Sequence, residues 1–191
     1  MSNWGATDAD ESKPKYLTAA QKKEVYATEA GWVVEAGSKM TGNGRTGADP
    51  EVLVAISSLS TSIGQADVTD VEFVSTGYSE AAPGVFSALV RFNENVTVSG
   101  TPTLYVNSNQ AGSGSLTHLS CTYASGSGSN ELTFTKTCSA GELAEDDVLN
   151  HVAAGLELAG GTIVDTAAGG NATLTVSAAI ATAGGTLTVA A

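Results

Sequence analysis

A chain of 191 residues with 42% hydrophobic, 6% aromatic and only 15% charged residues falls short of the roughly one quarter of charged residues usual in soluble domains. Its surface must be built largely from Gly, Ser, Thr and Ala, and its length suffices to bury a core without a metal or a disulfide. The formal charge of −12 disfavours general affinity for nucleic acid or anionic lipid, and no apolar run reaches the ~18 residues of a membrane span.

The first residues, Met1 to Tyr16, lack the apolar h-region of a cleavable secretory leader, so none is expected. With only Trp4, Tyr16 and Leu17 as large apolar groups, residues 1–17 read as an extended arm that depends on a neighbour for order. Thr18-Ala-Ala-Gln21 is a capping-box pattern. It predicts a helix of about ten residues running to Thr28 and stopped by Ala30-Gly31. Trp32-Val33-Val34 and Glu51–Ile56 read as two short strands around a glycine-rich stretch. That stretch lacks the Lys-Ser/Thr of a phosphate-binding loop and the helix that should follow it, so it reads as a flexible hairpin loop.

Charge divides the chain. Residues 1–45 hold six of the eight basic residues, Lys13, Lys15, Lys22, Lys23, Lys39 and Arg45, balanced by six acidic ones. Beyond them, Arg91 and Lys136 face the remaining 14 of 20 acidic residues, which is the whole net charge. Ser57–Ala66 reads as a linker. The division is therefore an N-terminal region, 1–60, and a second unit, 67–191.

In the second unit, alternation with a period of two replaces any helical period. Phe86, Ala88, Val90 and Phe92 fall on one face and Ser87, Leu89 and Arg91 on the other. Val96 and Val98, then Leu104 and Val106, continue the alternation across a turn at Gly100-Thr-Pro102. Residues 123–134 read as a hairpin bent by Gly and Ser, with Leu132 and Phe134 inward. Further strands are expected at Leu156–Leu158, Ile163, Leu174–Val176 and around Leu187–Val189; Gly141–Leu149 is the only helical hint. Short alternating strands with turn signals every 8–12 residues predict a mainly-β chain built as a β-sandwich.

Phe92-Asn-Glu-Asn-Val-Thr-Val-Ser-Gly-Thr-Pro-Thr-Leu104 resembles the opening signature of bacterial Ig-like repeats of the SwmB type. Residues 123–134, Leu156–Asp165 and Gly170–Leu174 follow in the order of those repeats, so the resemblance spans about 67–177. It implies an Ig-like sandwich acting as a structural or interaction module and not as an enzyme. The stretch 107–120, the two cysteines and Ser177–Ala191 depart from the pattern. In the N-terminal region, Trp4-Gly5, Asp10–Lys15, the lysine-rich helix, Gly31-Trp-Val33 and Glu51–Ile56 resemble openings of virion structural proteins of tailed phages of marine bacteria, including cyanobacterial myophages.

Chemistry-bearing residues are sparse. His118 near Cys121 lacks an identifiable orienting partner, and both His118 and His151 read as ordinary surface or rim histidines. A hairpin centred between Ser129 and Asn130 sets Cys121 opposite Cys138, both on inward parity, either as a cross-strand disulfide or as two buried thiols. Two cysteines without nearby partners make a poor zinc site. Asp8–Glu11 and Glu142–Asp147 lack the spacing of an EF-hand loop and read as solvated acidic faces. Eleven aromatic residues spread along the chain (2 Trp, 5 Tyr, 4 Phe) do not outline a glycosidase cleft.

No catalytic, cofactor-binding or metal residues are expected. The resemblances imply a decoration (cement) protein on the surface of a phage particle, made in the host cytoplasm, with a tail tube, collar or fibre subunit as the second reading and a surface adhesin module as a remote third. Its partners would be the major capsid protein and neighbouring copies of itself, in a homotrimer for instance, with surface glycans a further candidate. Trp4, Lys13, Lys15, Tyr16, Leu17, Tyr26 and Trp32 are the expected attachment residues, because aromatic anchors dominate interface energetics.

Overall fold

A computed structural model describes residues 13–14, 16–28, 31–36, 38, 40, 45, 47–55, 65–81, 84–109 and 116–191, with backbone alone at Leu116 and Thr117. The expected Trp4 and Lys15 contacts, most of the linker and the first acidic cluster lie outside these residues. The described chain is mainly β and forms a small three-stranded sheet beside a large curled, mixed one.

The capping box forms as its residues dictate. The Gln21 amide donates to Thr18 Oγ1 at 3.3 Å and the Thr18 amide to Gln21 Oε1 at 3.0 Å, opening helix α1 (Ala19–Glu24). The helix stops four residues before the expected Thr28. Val25–Thr28 is instead strand β1, antiparallel to β2 (Gly31–Val34), with Val25 opposite Val34 and Ala27 opposite Trp32. β-Branched Val25 and Thr28 and aromatic Tyr26 suit a pleated surface. As a strand the segment buries Val25 and Ala27 with Leu17 and Trp32, a gain that outweighs the helix propensity of the lysines before it. Strand β3 (Glu51–Ala55) completes the small sheet beside β2, as expected.

The large sheet contains β4 (Val68–Phe73), β5 (Tyr78–Ser79), β6 (Val85–Ser99), β7 (Thr103–Asn109), β8 (Leu116–Ser125), β9 (Ser129–Thr137), β10 (Val148–Glu157), β11 (Thr162–Asp165) and β12 (Thr186–Ala190). Their order is β11-β6-β9-β8-β7-β10-β12-β5, with β4 also paired to β6. The long strand β6 organises the fold: β4 lies against its first half and β11 against its second, while β9 runs along the opposite edge. Phe86, Phe92, Leu104, Leu132, Phe134, Leu149 and Ile163 fill the interior. The alternation of β6 places Leu89 on its outer face, and Leu89 is nonetheless buried, for β1 and α1 pack against β6. The small sheet with α1 and the large sheet are therefore joined by packing as well as by sequence.

Three local expectations are corrected. Gly141–Asp147 is a run of turns and bends leading into β10, and the second helix, α2, forms at Ala178–Ala183 instead, capped by Ser177, whose Oγ accepts from the Ile180 amide at 3.1 Å. Leu174–Val176 is not a strand; isolated bridges at Asp67–Thr173 and Val164–Asn171 precede it, and the Ala154 amide of β10 donates to the Val176 carbonyl at 2.8 Å. The 123–134 hairpin has a shifted register, with Thr122 opposite Thr135 and Tyr123 opposite Phe134. Gly126 sets that register. It lies in the left-handed region, with its backbone so close to the Glu131 carbonyl that no Cβ fits there, and glycine alone adopts such a position without penalty.

Candidate functional site

Of the expected attachment residues, the structure places Leu17, Tyr26 and Trp32 inside the chain's own packing. Val25, Ala27 and Trp32 share one apolar cluster with Leu17, while Tyr26 points toward the sandwich, where its hydroxyl donates to Glu35 Oε1 at 2.6 Å. Burial first, then the Glu35 hydrogen bond, pushes the Tyr26 phenol above its ordinary pKa. Lys13 is also buried. Its Nζ donates to the Lys22 carbonyl at 2.6 Å and lies 5.9 Å from the Trp32 ring centre, within reach of a cation–π attraction. Tyr16 alone of the described set is open, 69% exposed. Beside the helix, Lys13, Lys22, Lys23 and Thr69 line a hollow of about 290 Å³.

The seam between the small sheet and β6 is polar. Arg91 on the outer face of β6 reaches Glu131 at 2.7 Å, Glu72 at 2.8 Å and Asp70 at 3.4 Å, and Lys23 of α1 closes on Asp70 at 2.6 Å. Burial alone would lower the Arg91 pKa; hydrogen bonds to Glu131 and Glu72 override it and hold the guanidinium above its ordinary value. Glu24, Glu35, Glu72, Glu131, Ser38 and Arg91 line a cleft of about 380 Å³ along this seam. It is an acidic groove around one fixed cation, and at its rim the Ser38 hydroxyl donates to Glu24 Oε2 at 2.6 Å.

Cys121 and Cys138 are free, buried thiols. The expected opposition fails because the shifted ladder carries Cys138 past the end of β9, where its amide donates to the Gly84 carbonyl at 2.9 Å. Burial pushes the Cys121 thiol up to about 12 and raises that of Cys138 as well. His118 is exposed while Cys121 is buried, three residues along the same strand and on the opposite face. His151 is no rim residue: it is 7% exposed, stacks on Phe73, and has no hydrogen bond at either ring nitrogen. Asp147, expected in a solvated acidic face, is fully buried, and its Oδ2 accepts from the Ala144 amide at 2.9 Å and from Ser108 Oγ at 3.3 Å. Among the described residues no three His, Cys, Asp or Glu side chains converge as metal ligands, and no helix is long and apolar enough to cross a membrane.

The fold and its seam thus define a mainly-β, sandwich-like protein with a small sheet docked on its central strand. Comparison with protein-family models, with curated proteins and with solved structures finds no match for the chain.

Proposed function

We propose that the chain is a non-enzymatic structural protein of a phage particle, a capsid decoration protein that binds the major capsid protein through its N-terminal region and presents its acidic body outward. What carries the reading is the polarity of the molecule. The helix and the first two strands of the small sheet belong to the electroneutral residues 1–45, whereas residues 67–191, with 12 acidic and two basic residues, carry −10 of the −12. Those elements bear the exposed Tyr16 ring and the lysine-lined hollow. The resemblance of residues 67–177 to Ig-like repeats and of the N-terminal region to tailed-phage virion proteins supplies the class.

Burial of Tyr26 and Trp32 changes how the region would attach. Trp32 holds the small sheet together and Tyr26 faces the sandwich, so the surface left for a capsid is Tyr16, the hollow beside α1 and the half-exposed Val52 of β3. Many weak contacts repeated over a symmetric lattice would sustain attachment.

The test is cosedimentation of the full chain with particles that lack it. Wild type should coat them at hundreds of copies each, and the double variant Tyr16→Ala, Val52→Lys should bind at least about tenfold less tightly while melting normally. A handful of copies per particle would move the protein to the collar or fibre, and unchanged binding by the variant would overturn the assignment of the N-terminal surface.

A further inference from the structure

Sequence stretches that the proposed function leaves unused meet at one end of the sandwich. Between the pairs Arg91–Glu131 and Val96–Ser129, β6 advances five residues while β9 advances two. Three residues, Asn93-Glu94-Asn95, therefore bulge out of the ladder. On the other edge of β6, Val96 pairs with Asp165, the last residue of β11. Strand alternation fixes the facing of the neighbours: Asn130 lies two residues from Leu132 and Asp165 two from Ile163, and both Leu132 and Ile163 point into the core. Glu94, Asn130 and Asp165 are 3%, 1% and 0% exposed.

The free valences here are all acceptors. Asp165 Oδ2, Asn130 Oδ1 and Asn95 Oδ1 are buried without a hydrogen-bond donor. Buried polar atoms in native proteins are almost always satisfied, so a concentration of orphaned acceptors calls for a missing partner. Asp165 is held rigidly for one. Its Oδ1 accepts from the Ala167 and Ala168 amides, both at 2.8 Å, and its own amide donates to the Gly170 carbonyl at 2.7 Å. The Thr166 amide donates to the Asn95 carbonyl at 2.9 Å, which clasps the 165–170 loop onto the bulge.

Carboxylate and amide oxygens, with no nitrogen or sulfur donor among them, are the ligand set of a hard divalent cation. We propose that the β6 bulge, Asn130 and Asp165 bind one calcium-class cation, with Asp165 Oδ2 and the Asn130 and Asn95 amide oxygens as ligands. Glu94 supplies the second negative charge. Backbone carbonyls of the bulge and water would complete the six to eight oxygens such an ion takes. Two carboxylates suffice because amide oxygens provide the rest. This site stands independently of particle binding.

Calorimetric titration and thermal melts of the EDTA-treated full chain with CaCl2, to roughly 10 mM so as to cover the weakest sites of this kind, test it. Wild type should bind one equivalent and melt higher as calcium rises. Asp165→Asn and Asn130→Ala should each weaken binding at least about tenfold while melting cooperatively near the calcium-free wild-type temperature. Two variants keep the test open if one fails to fold. No heat and no melting shift in wild type would mean that water fills the site, and would overturn the proposal. So would calcium binding left intact in both variants, which would place the ion on the exposed acidic surface, or an equal shift with MgCl2, which would mark screening of the net charge.

Discussion

His151 lies stacked on Phe73, ring centres 4.2 Å apart and planes inclined by 27°, with neither imidazole nitrogen hydrogen-bonded. Phe73 belongs to β4 and His151 to β10, so the stack joins opposite sides of the curled sheet beneath α2. A neutral ring fits that place and an imidazolium does not. Burial pushes the His151 pKa down to about 4, against a weaker opposing pull from the Glu72 carboxylate.

Acid should therefore destabilise the protein through this ring. The unfolded chain takes up the proton near pH 6.5, whereas the folded chain refuses it until about pH 4. Between those values the unfolded state binds more protons, so stability falls as pH falls, by about 3 kcal/mol in all from this one group. His151→Phe keeps a ring on Phe73 and removes the titration. Urea midpoints at pH 7, 5.5 and 4.5 should decline less steeply for the variant, and parallel declines would mean that other groups govern the acid limb.

Gly184 is packed into the same junction. A Cβ there would run into the Val71 carbonyl oxygen and would lie 2.7 Å from His151 Cδ2. Its φ of −65° is ordinary, so Gly184→Ala tests space alone and not backbone strain. Overpacking should cost about 2 kcal/mol and lower the melting temperature by roughly 4–8 °C for a chain of this size. A melting temperature within a degree of wild type would show that α2 can lift without loss.

The two cysteines should behave as buried hydrophobic groups. A thiol pushed up to about 12 is almost wholly protonated at pH 8, and burial adds a steric barrier. Native protein should therefore leave Cys121 unmodified by iodoacetamide over hours, and guanidinium should release both thiols for rapid labelling. Dithiothreitol should not move the melting temperature. A Cys121–Cys138 linked peptide from native protein kept in air would contradict the register of the β8–β9 hairpin.

That hairpin also shows what the sequence carries and what it withholds. Period-2 alternation in residues 86–106 is enough to expose the strands of the sandwich, and the Thr18 capping box marks the start of α1 to the residue. The Gly-Ser tract 126–129 offers two turn centres of similar local chemistry. The choice falls on the one that lets Gly126 touch the Glu131 carbonyl, a contact visible only once the strands are paired. Facing is withheld in the same way. Tyr26 and Trp32 are aromatic in either role; the docking of β1 on β6 buries Tyr26, and the small sheet's own cluster with Leu17, Val25 and Ala27 buries Trp32. The three-residue bulge at Asn93-Glu94-Asn95 is announced by no local pattern, and it is visible only in the pairing of β6 with β9.

Arg91 decides whether the small sheet and the sandwich form one cooperative unit. Its guanidinium, 15% exposed, spans Asp70, Glu72 and Glu131, and Asp70 in turn receives Lys23 from α1. Removing the cation leaves three carboxylates around one seam, with Asp70 only 6% exposed. Breaking a buried pair from one side typically costs about 3–5 kcal/mol. Glu72 and Glu131, at 41% and 36% exposed, remain partly solvated, which reduces that penalty. Arg91→Met preserves the aliphatic stem and should destabilise by about 2 kcal/mol, with most of the loss removed by a companion Asp70→Asn. Trp32 lies in the small sheet's core, so in a Trp4→Phe background its fluorescence reports that part separately from the far-ultraviolet signal of the whole. Wild type should show coincident transitions in both signals, and Arg91→Met should melt the tryptophan signal first. Coincident transitions in the variant would show that packing of β1 on β6, and not the ion network, holds the two sheets together.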